Sequence, residues 1–268
     1  MLDDRQQAQY LQRIGHSGGT AISLPTLQAL HNLHMLKVPF ENLDISLGRK
    51  IDLTEDALFD KIVLQRRGGF CYELNHLFFA FLSSRGFDVQ MLSARVYNGR
   101  AFGKAFDHML LLVNLQGVSF IADAGFGDSF REPLALQGEP SHQVDANYKI
   151  EQQGSDYVLF QQKQNAGYQA QYKFDLAAYG IDAFQPMCVY QQTSPDSSFT
   201  QKTVCSIATE DGRKTISNSR FIITSVDRRS EQGIAGEAEY RQILRQHFQI
   251  DLPQDSRLDR LLAANNTA

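Results

Sequence analysis

The first third of the chain has the apolar spacing of amphipathic helices. Apolar residues recur every three or four positions behind residues that favour a helix N-terminus, among them Ser23 and Thr54. The longest segment of this kind covers residues 71–85, and Gly86 fits the position just after a helix C-terminus. The pattern therefore predicts a unit of four helices over residues 1–86.

Beyond Gly86 the period of the apolar residues changes to two, which is typical of strands. A sheet or small barrel that follows helices favours an α+β fold. The turn-rich segment SPDSS at 194–198 is the clearest connection, so we expect three units, over residues 1–86, 87–193 and 194–268. Strands are expected over residues 89–96, 108–115, 118–124, 157–161, 203–208 and 220–225, and a helix over 237–247.

Composition narrows the class of protein. Of the 268 residues, 43% are hydrophobic and 21% charged, as in a folded soluble protein. The net charge of −4 argues against a nucleic-acid partner. The apolar stretches are too short to span a membrane, and the first residues lack the pattern of a signal peptide. We therefore expect a cytoplasmic protein that binds neither nucleic acid nor membrane.

The cysteines agree with a reducing compartment. Cys71, Cys188 and Cys205 are odd in number and widely spaced, which favours neither a disulfide framework nor a zinc site. No set of His, Cys, Asp and Glu has recognisable zinc spacing either, so no metal is expected.

Cys71 stands where a glycine-rich turn opens into a helix, in the stretch RRGGFCYELN. Two interpretations are open: a small buried hydrophobic residue, or a nucleophile whose thiol pKa is lowered at a helix N-terminus. A nucleophile needs a base, and of the seven histidines His108 is the best candidate because it begins the apolar strand HMLLLVNL. His31 and His34 lie on a helix among apolar neighbours, so we expect them to be packing residues.

A predicted hairpin supplies a third residue. If Gln116 and Gly117 form a two-residue turn, His108 lies opposite Gly125, and Asp123 shares a sheet face with His108 as its diagonal neighbour. A three-residue loop without a bulge would place the two side chains on opposite faces. Taken alone, His108 could be a structural histidine at the end of a strand, and Asp123 could cap a turn. Together with Cys71 they have the chain order of papain-like and transglutaminase-like enzymes.

The sequence RGGFCYELN at 67–75 resembles the RGGxCxE signature of the arylamine N-acetyltransferases. The resemblance extends to VPFENLDISLGRKIDL at 38–53, DHMLLLV at 107–113, ADAGFGD at 122–128 and SPDSSFTQ at 194–201. It implies a helical bundle, a β-barrel and an α/β lid. The residues that match the family's catalytic triad are Cys71, His108 and Asp123.

Membership of that family implies a ping-pong reaction through an acetyl-cysteine. Acetyl-CoA would be the acetyl donor, and arylamines, arylhydroxylamines or hydrazines the acceptors, as in xenobiotic metabolism. The chain is similar to the shorter bacterial members, and we expect a monomer or a homodimer. Phe40, Phe126 and Phe199 match aromatic positions that line the family's substrate pocket, and Phe70 is added to them because it precedes the nucleophile. From the sequence alone each would be a core residue.

The residues around the cysteine have structural interpretations. Gly68 and Gly69 would allow a tight bend before Cys71. For Arg67 we favour a buried ion pair that braces the turn, with Glu73 as its partner. A contact with the CoA phosphates is the alternative for Arg66 and Arg67.

Two other functions remain open. The same three residues could serve a thiol hydrolase or a transglutaminase-like enzyme, or the chain could be a binding protein that keeps an inactive triad. The partners expected from the resemblance are a small aromatic amine or hydrazine and a CoA thioester.

Overall fold

The computed structural model describes residues 1–19, 21–163 and 166–263. Its N-terminal part is helical, as the apolar spacing predicts. Capping side chains fix two of the helix starts, since the carboxylate of Asp3 accepts the N–H of Gln6 at 2.7 Å and the hydroxyl of Ser23 accepts that of Thr26 at 3.3 Å. The elements here are helices α1 (Asp4–Ile14), α2 (Leu24–Lys37), α3 (Leu43–Ser46), α4 (Glu55–Phe59) and α5 (Cys71–Ser84), strand β1 (Phe40–Glu41), and a π-helical turn, Asp60–Leu64, that continues α4.

The middle of the chain forms an antiparallel sheet that curls into a nearly closed barrel. Its eight strands are β2 (Asp88–Val96), β3 (His108–Leu115), β4 (Val118–Ala122), β5 (Leu134–Ala135), β6 (Ser141–His142), β7 (Asn147–Gln153), β8 (Asp156–Gln162) and β9 (Gln169–Ala178). They run in the order β5-β4-β3-β2-β9-β8-β7-β6, and β5 contacts β7 where the barrel nearly closes. The expected α+β class with a central barrel is confirmed. Strands β5, β6, β7 and β9 of this sheet were not predicted.

The last part of the chain forms a second antiparallel sheet with helices. Strand β1, from the N-terminal part, pairs with β10 (Val204–Thr209), so that Phe40 lies opposite Ser206. The helix expected over 237–247 is α-helical as far as Ile243, after which a π-helical turn, Leu244–Phe248, continues it. The remaining elements are a 3₁₀ turn (Ile181–Ala183), α6 (Gln185–Thr193), α7 (Ser198–Gln201), β10 (Val204–Thr209), β11 (Gly212–Ser217), β12 (Arg220–Ser225), β13 (Arg229–Gly233), α8 (Glu237–Ile243) and α9 (Asp259–Ala263). The limits of the three expected units stay a prediction.

The hairpin between β3 and β4 has the expected register. Gln116 and Gly117 form the turn with φ of 51° and 83°, and Leu115 lies opposite Val118. The ladder ends at the pair Leu111 and Ala122, two residues earlier than the predicted end of the strand at 124. Asp123 therefore lies just beyond the paired part of β4.

Helix α5 lies at the centre of the main core. Its side chains Leu74, Leu77, Phe78 and Phe81 are fully buried, and the helix contacts β2 and β3. An apolar face this wide holds the helix firmly against the sheet. Over residues 1–19, 21–163 and 166–263, no helix is both long and apolar enough to cross a membrane.

Candidate active site

Cys71 is the first residue of α5 and is 3% exposed. The helix start is fixed by Glu73, whose Oε2 accepts the backbone N–H of Phe70 at 3.0 Å. The first-turn N–H groups of a helix have no carbonyl partner within it, so the thiol lies at the positive end of the helix dipole.

The two glycines before the cysteine are required by close packing. A Cβ on Gly68 would lie 1.9 Å from the carbonyl oxygen of Pro39, and one on Gly69 would lie 2.7 Å from the Cβ of Glu73. Neither glycine is among the residues with positive φ, whereas Arg66 has φ of 56°. The glycines are therefore required by the lack of space beside Pro39 and Glu73, and the residue of this segment with positive φ is Arg66.

His108 and Asp123 are hydrogen-bonded to each other, in agreement with the predicted register of the hairpin. The Nε2 atom of His108 lies 2.8 Å from Oδ2 of Asp123, and the two residues are 2% and 0% exposed. A carboxylate only accepts, so Nε2 donates its hydrogen and Nδ1 is left as the ring nitrogen with a free lone pair. This is the arrangement of a general base that is oriented by a carboxylate.

Three further groups donate to the Asp123 carboxylate. Oδ1 accepts from Asn75 Nδ2 at 2.9 Å and from the N–H of Gly125 at 3.0 Å, and Oδ2 also accepts from the Tyr172 hydroxyl at 2.9 Å. Burial alone would raise the pKa of Asp123, but the His108 charge and the hydrogen bonds outweigh it and hold that pKa below its usual value. The carboxylate is therefore charged and firmly oriented.

Asn75 connects the cysteine helix to the hairpin. It lies one turn after Cys71, on the same face of α5. Its Nδ2 donates to the Met109 carbonyl at 2.6 Å and its Oδ1 accepts the N–H of Ala124 at 2.9 Å. Gly125 packs against the nucleophile, since a Cβ there would lie 2.8 Å from the Cα of Cys71. The three residues singled out in the sequence thus belong to one buried cluster.

The Cys71 thiol does not ionise readily by itself. Burial raises its pKa well above the ordinary value, and a hydrogen bond with the backbone of Met109 opposes that effect. A buried thiol in this position needs a base to take its proton. Met109 directly follows His108 in β3, so the same stretch of strand carries both the hydrogen bond and the base.

The predicted aromatic residues fall into two groups around this cluster. Phe126 has its ring centre 5.1 Å from that of His108, while Phe199 lies 6.2 Å from Phe40 and 5.7 Å from Phe70. Phe40, Phe126 and Phe199 are half-buried, whereas Phe70 is fully buried. The half-buried rings have exposed apolar surface that a ligand can contact. Phe70 packs against Phe199 from the buried side.

The segment that carries Phe199 is tied to the rest of the site by hydrogen bonds. Asn42 Nδ2 donates to the Phe199 carbonyl at 3.0 Å, and the N–H of Phe199 donates to the Ser197 hydroxyl at 3.2 Å. Ser197 in turn donates to Gln191 at 2.6 Å, whose amide donates to Asp107 at 2.8 Å. This chain joins Phe199 to the residue before His108.

A buried cluster of charges braces the turn before Cys71. Arg67 donates to Glu41 at 2.8 Å and to Asp44 at 3.0 Å, and Lys61 lies 2.7 Å from both Asp44 and Glu73. The expectation of a buried brace at Arg67 is confirmed. The expectation that Glu73 is its partner is wrong, because Glu73 pairs with Lys61, and Arg67 pairs with Glu41 of β1. Arg66 is exposed and donates to Gln249.

Sequence reasoning missed several members of the site. The sequence could have identified Asn75, because a polar residue one turn after a candidate nucleophile lies on the same helix face. Tyr172 gives no such signal, since only the pairing of β9 with β2 brings it to Asp123. His31 was interpreted as a packing residue, but its Nε2 accepts the backbone N–H of Asp123 at 2.9 Å.

Comparisons with known proteins agree on one family. The family model described as N-acetyltransferase matches residues 23–257. Arylamine N-acetyltransferase 1 of Homo sapiens is 32% identical over 270 residues, which cover 91% of this chain and 93% of that protein. The solved structure of the Mycobacterium smegmatis arylamine N-acetyltransferase is similar with a TM-score of 0.91, 29% identity and 100% of both chains covered. That of the Mycobacterium marinum enzyme in complex with CoA has a TM-score of 0.87 at 27% identity, and covers 96% of this chain and 97% of that one.

Proposed function

The chain belongs to the arylamine N-acetyltransferase family, and on that basis we propose that it transfers the acetyl group of acetyl-CoA to an aromatic amine by way of an acetyl-cysteine at Cys71. Its relatives are named for arylamine acetylation, and a similar structure contains CoA. Arylhydroxylamines and hydrazines are included as acceptors because their nitrogen is also a nucleophile.

The observation that carries the proposal is the buried His108–Asp123 pair beside the start of the cysteine helix. His108 Nδ1 takes the thiol proton, so that a thiolate and an imidazolium replace two neutral groups. The negative carboxylate of Asp123, 2.8 Å from Nε2, stabilises that imidazolium. The positive end of the α5 helix dipole stabilises the negative thiolate.

The reaction then has two halves. In the first, the Cys71 thiolate attacks the acetyl carbonyl carbon, the bond from that carbon to the CoA sulfur breaks, and the imidazolium of His108 returns a proton to the leaving thiolate. In the second, the amine nitrogen attacks the acetyl-cysteine, His108 accepts an amine proton, and the carbon–sulfur bond to Cys71 breaks. Free N–H groups of the first turn of α5 are suited to hold the oxyanion in each half.

The apolar surroundings favour transfer to an amine over transfer to water. Phe126 borders His108, and Phe40 and Phe199 form an aromatic surface near the start of α5. Such rings match a flat aryl acceptor and reduce the access of water to a thioester. A peptidase or transglutaminase-like enzyme would instead need an open groove for a polypeptide.

Intact-mass measurement after incubation with acetyl-CoA tests the proposal. Wild type should gain the mass of one acetyl group, Cys71→Ala should gain none, and the matched variant Cys188→Ala, which removes another buried cysteine, should behave as wild type. Addition of an aromatic amine should remove the acetyl group and yield the acetylated amine. Loss of the acetyl group at the same rate without an amine would instead identify a thiol hydrolase.

A lack of wild-type acetylation at millimolar acetyl-CoA would contradict the proposal. If in addition iodoacetamide alkylated Cys71 at neutral pH no faster than a free thiol, the result would favour a binding protein with an inactive triad.

A further inference from the structure

His31, on α2, binds the backbone of the residue that orients the proposed base. Its Nε2 lies 2.9 Å from the backbone nitrogen of Asp123, and its Nδ1 lies 2.9 Å from the carbonyl oxygen of Arg131. The side chain is 0% exposed. Nothing in the reaction outlined above uses this residue.

The two partners fix the tautomer of the His31 ring. The backbone nitrogen of Asp123 carries a hydrogen and only donates, so Nε2 must present its lone pair. The carbonyl of Arg131 only accepts, so Nδ1 must carry the hydrogen. A ring in this state is neutral, and burial, which lowers the pKa of His31 more than its neighbours raise it, keeps it so.

Aromatic neighbours hold the ring in place. It stacks on Phe130 with the centroids 5.6 Å apart and the planes inclined by 10°, and the Phe78 ring meets it at 62°. Arg131, whose carbonyl accepts from His31, also donates from Nη1 to the Thr209 carbonyl at 2.7 Å. His31 thus joins α2 to the end of β4, and Arg131 joins the same site to the β10–β11 turn.

We propose that His31 is a positioning residue of the triad, which fixes the backbone of Asp123 so that its carboxylate meets His108. Asp123 lies beyond the last ladder pair of β4, where the neighbouring strand no longer holds its N–H. The Nε2 lone pair of His31 takes the place of that ladder partner. The inference rests on the proposed function, because it assigns His31 to the same three residues.

Three variants separate positioning from packing. His31→Leu removes both hydrogen bonds, and His31→Gln keeps an acceptor oxygen near the Nε2 position. His34→Leu is the matched control: His34 lies one turn further along α2 and is as deeply buried, but it is bonded to the Tyr10 hydroxyl at 2.6 Å. Circular dichroism and thermal unfolding establish the folded fraction of each variant.

Two rates are compared per folded molecule: kcat for acetyl transfer, and the alkylation of Cys71 by iodoacetamide at neutral pH. His31→Leu should lower both by about 10- to 100-fold, with a smaller change in the KM of the amine, because a displaced carboxylate orients His108 poorly. His31→Gln should recover part of each rate, and His34→Leu should leave both within about threefold of wild type.

The alkylation rate distinguishes the two possible failures. If wild type accepts no acetyl group but His31→Leu still slows alkylation and His34→Leu does not, the proposed function fails and the positioning role stands. If wild type is active and His31→Leu matches His34→Leu in both rates, the positioning role is overturned.

A measurement on wild type covers the case in which the His31 variants do not fold. Nitrogen-15 spectra, with the His31 ring assigned individually, should show hydrogen on its Nδ1 and a lone pair on its Nε2, and this ring should not titrate between about pH 5 and pH 8. The assignment is needed because His76 is also buried and its Nδ1 also lies 2.9 Å from a carbonyl oxygen, that of Leu53. Hydrogen on Nε2 of His31 would overturn the proposal, since the contact with the Asp123 N–H would then be lost.

Discussion

The imidazole Nε2 of His108 lies 2.8 Å from the carboxylate of Asp123, although the two residues are fifteen positions apart in the chain. The two-residue turn at Gln116 and Gly117 sets the register of the hairpin, and that register puts both side chains on one face. Because the carboxylate is buried and accepts from four donors, it has little freedom to turn away from the ring.

The first prediction concerns the charge of that carboxylate. Asp123→Asn keeps the size of the side chain but puts a neutral amide opposite His108 Nε2, so the ring loses both its preferred tautomer and the charge that stabilises its imidazolium. We expect kcat for acetyl transfer to fall by about 10³- to 10⁴-fold. The alkylation of Cys71 by iodoacetamide at neutral pH should slow as well.

Asp88→Asn is the control for that variant. Asp88 begins β2, and its carboxylate accepts from Asn114 at an exposed site. This variant should keep wild-type kcat, so equal losses in both variants would show that the effect is not specific to the triad.

A second prediction follows from the Tyr172 hydroxyl, which donates to Oδ2 of Asp123 at 2.9 Å. Because it stabilises the charged carboxylate, Tyr172→Phe should lower the free energy of unfolding at neutral pH by about 1.5–3 kcal/mol. Asp123 has a lowered pKa, so the stability that its charge contributes is present at neutral pH and is lost as the pH falls through that pKa. The variant raises the pKa, and the loss should therefore begin at a higher pH.

Urea unfolding from about pH 3 to pH 7 measures both effects. Tyr157→Phe is the control, because Tyr157 is also buried in the barrel but stacks on Phe174 at 5.8 Å. A Tyr172→Phe profile that ran parallel to that of wild type would show that the hydroxyl does not influence the ionisation of Asp123.

Local patterns in the sequence predicted the parts of the site that depend on local geometry. The start of α5 at Cys71 and the pairing of His108 with Asp123 both follow from periods and turn residues within short stretches. A period of two fixes which side chains share a face, whatever the rest of the fold does.

Contacts between distant segments carry no such signal. Tyr172 reaches Asp123 because β9 pairs with β2 in the barrel, and His31 reaches it because α2 lies beside the residue that follows β4. Which carboxylate each buried cation binds was likewise not predictable: Arg67 pairs with Glu41 since β1 runs beside the turn, and Lys61 is left for Glu73.

The third prediction tests the buried charge cluster. Lys61→Met removes the cation that lies 2.7 Å from both Asp44 and Glu73, and leaves buried carboxylates without it. We expect the free energy of unfolding, measured with urea, to fall by about 3–5 kcal/mol. Lys149→Met is the matched control, because Lys149 pairs with Glu151 at the surface, where the loss should stay below about 1 kcal/mol. Equal losses would mean that the buried cluster contributes no more than a surface pair.

The last prediction is a pH dependence that belongs to Glu73. Burial raises the pKa of this carboxyl to about 6 against the attraction of Lys61, from an ordinary value of 4.5. Because folding raises this pKa, the protonated Glu73 carboxyl stabilises the folded state. That contribution is fully present below about pH 4.5 and is lost as the pH rises through about 6. The shift corresponds to about 2 kcal/mol.

Comparison with Glu73→Gln isolates that contribution, because the amide has no charge to lose. The free energy of unfolding of wild type minus that of the variant should fall by about 2 kcal/mol between about pH 4 and pH 7, as measured by urea unfolding. With Glu151→Gln, which removes a surface carboxylate beside Lys149, the corresponding difference should change by less than about 0.5 kcal/mol. If the Glu73→Gln difference rises with pH instead, the attraction of Lys61 outweighs burial, and Glu73 must be charged already in mild acid.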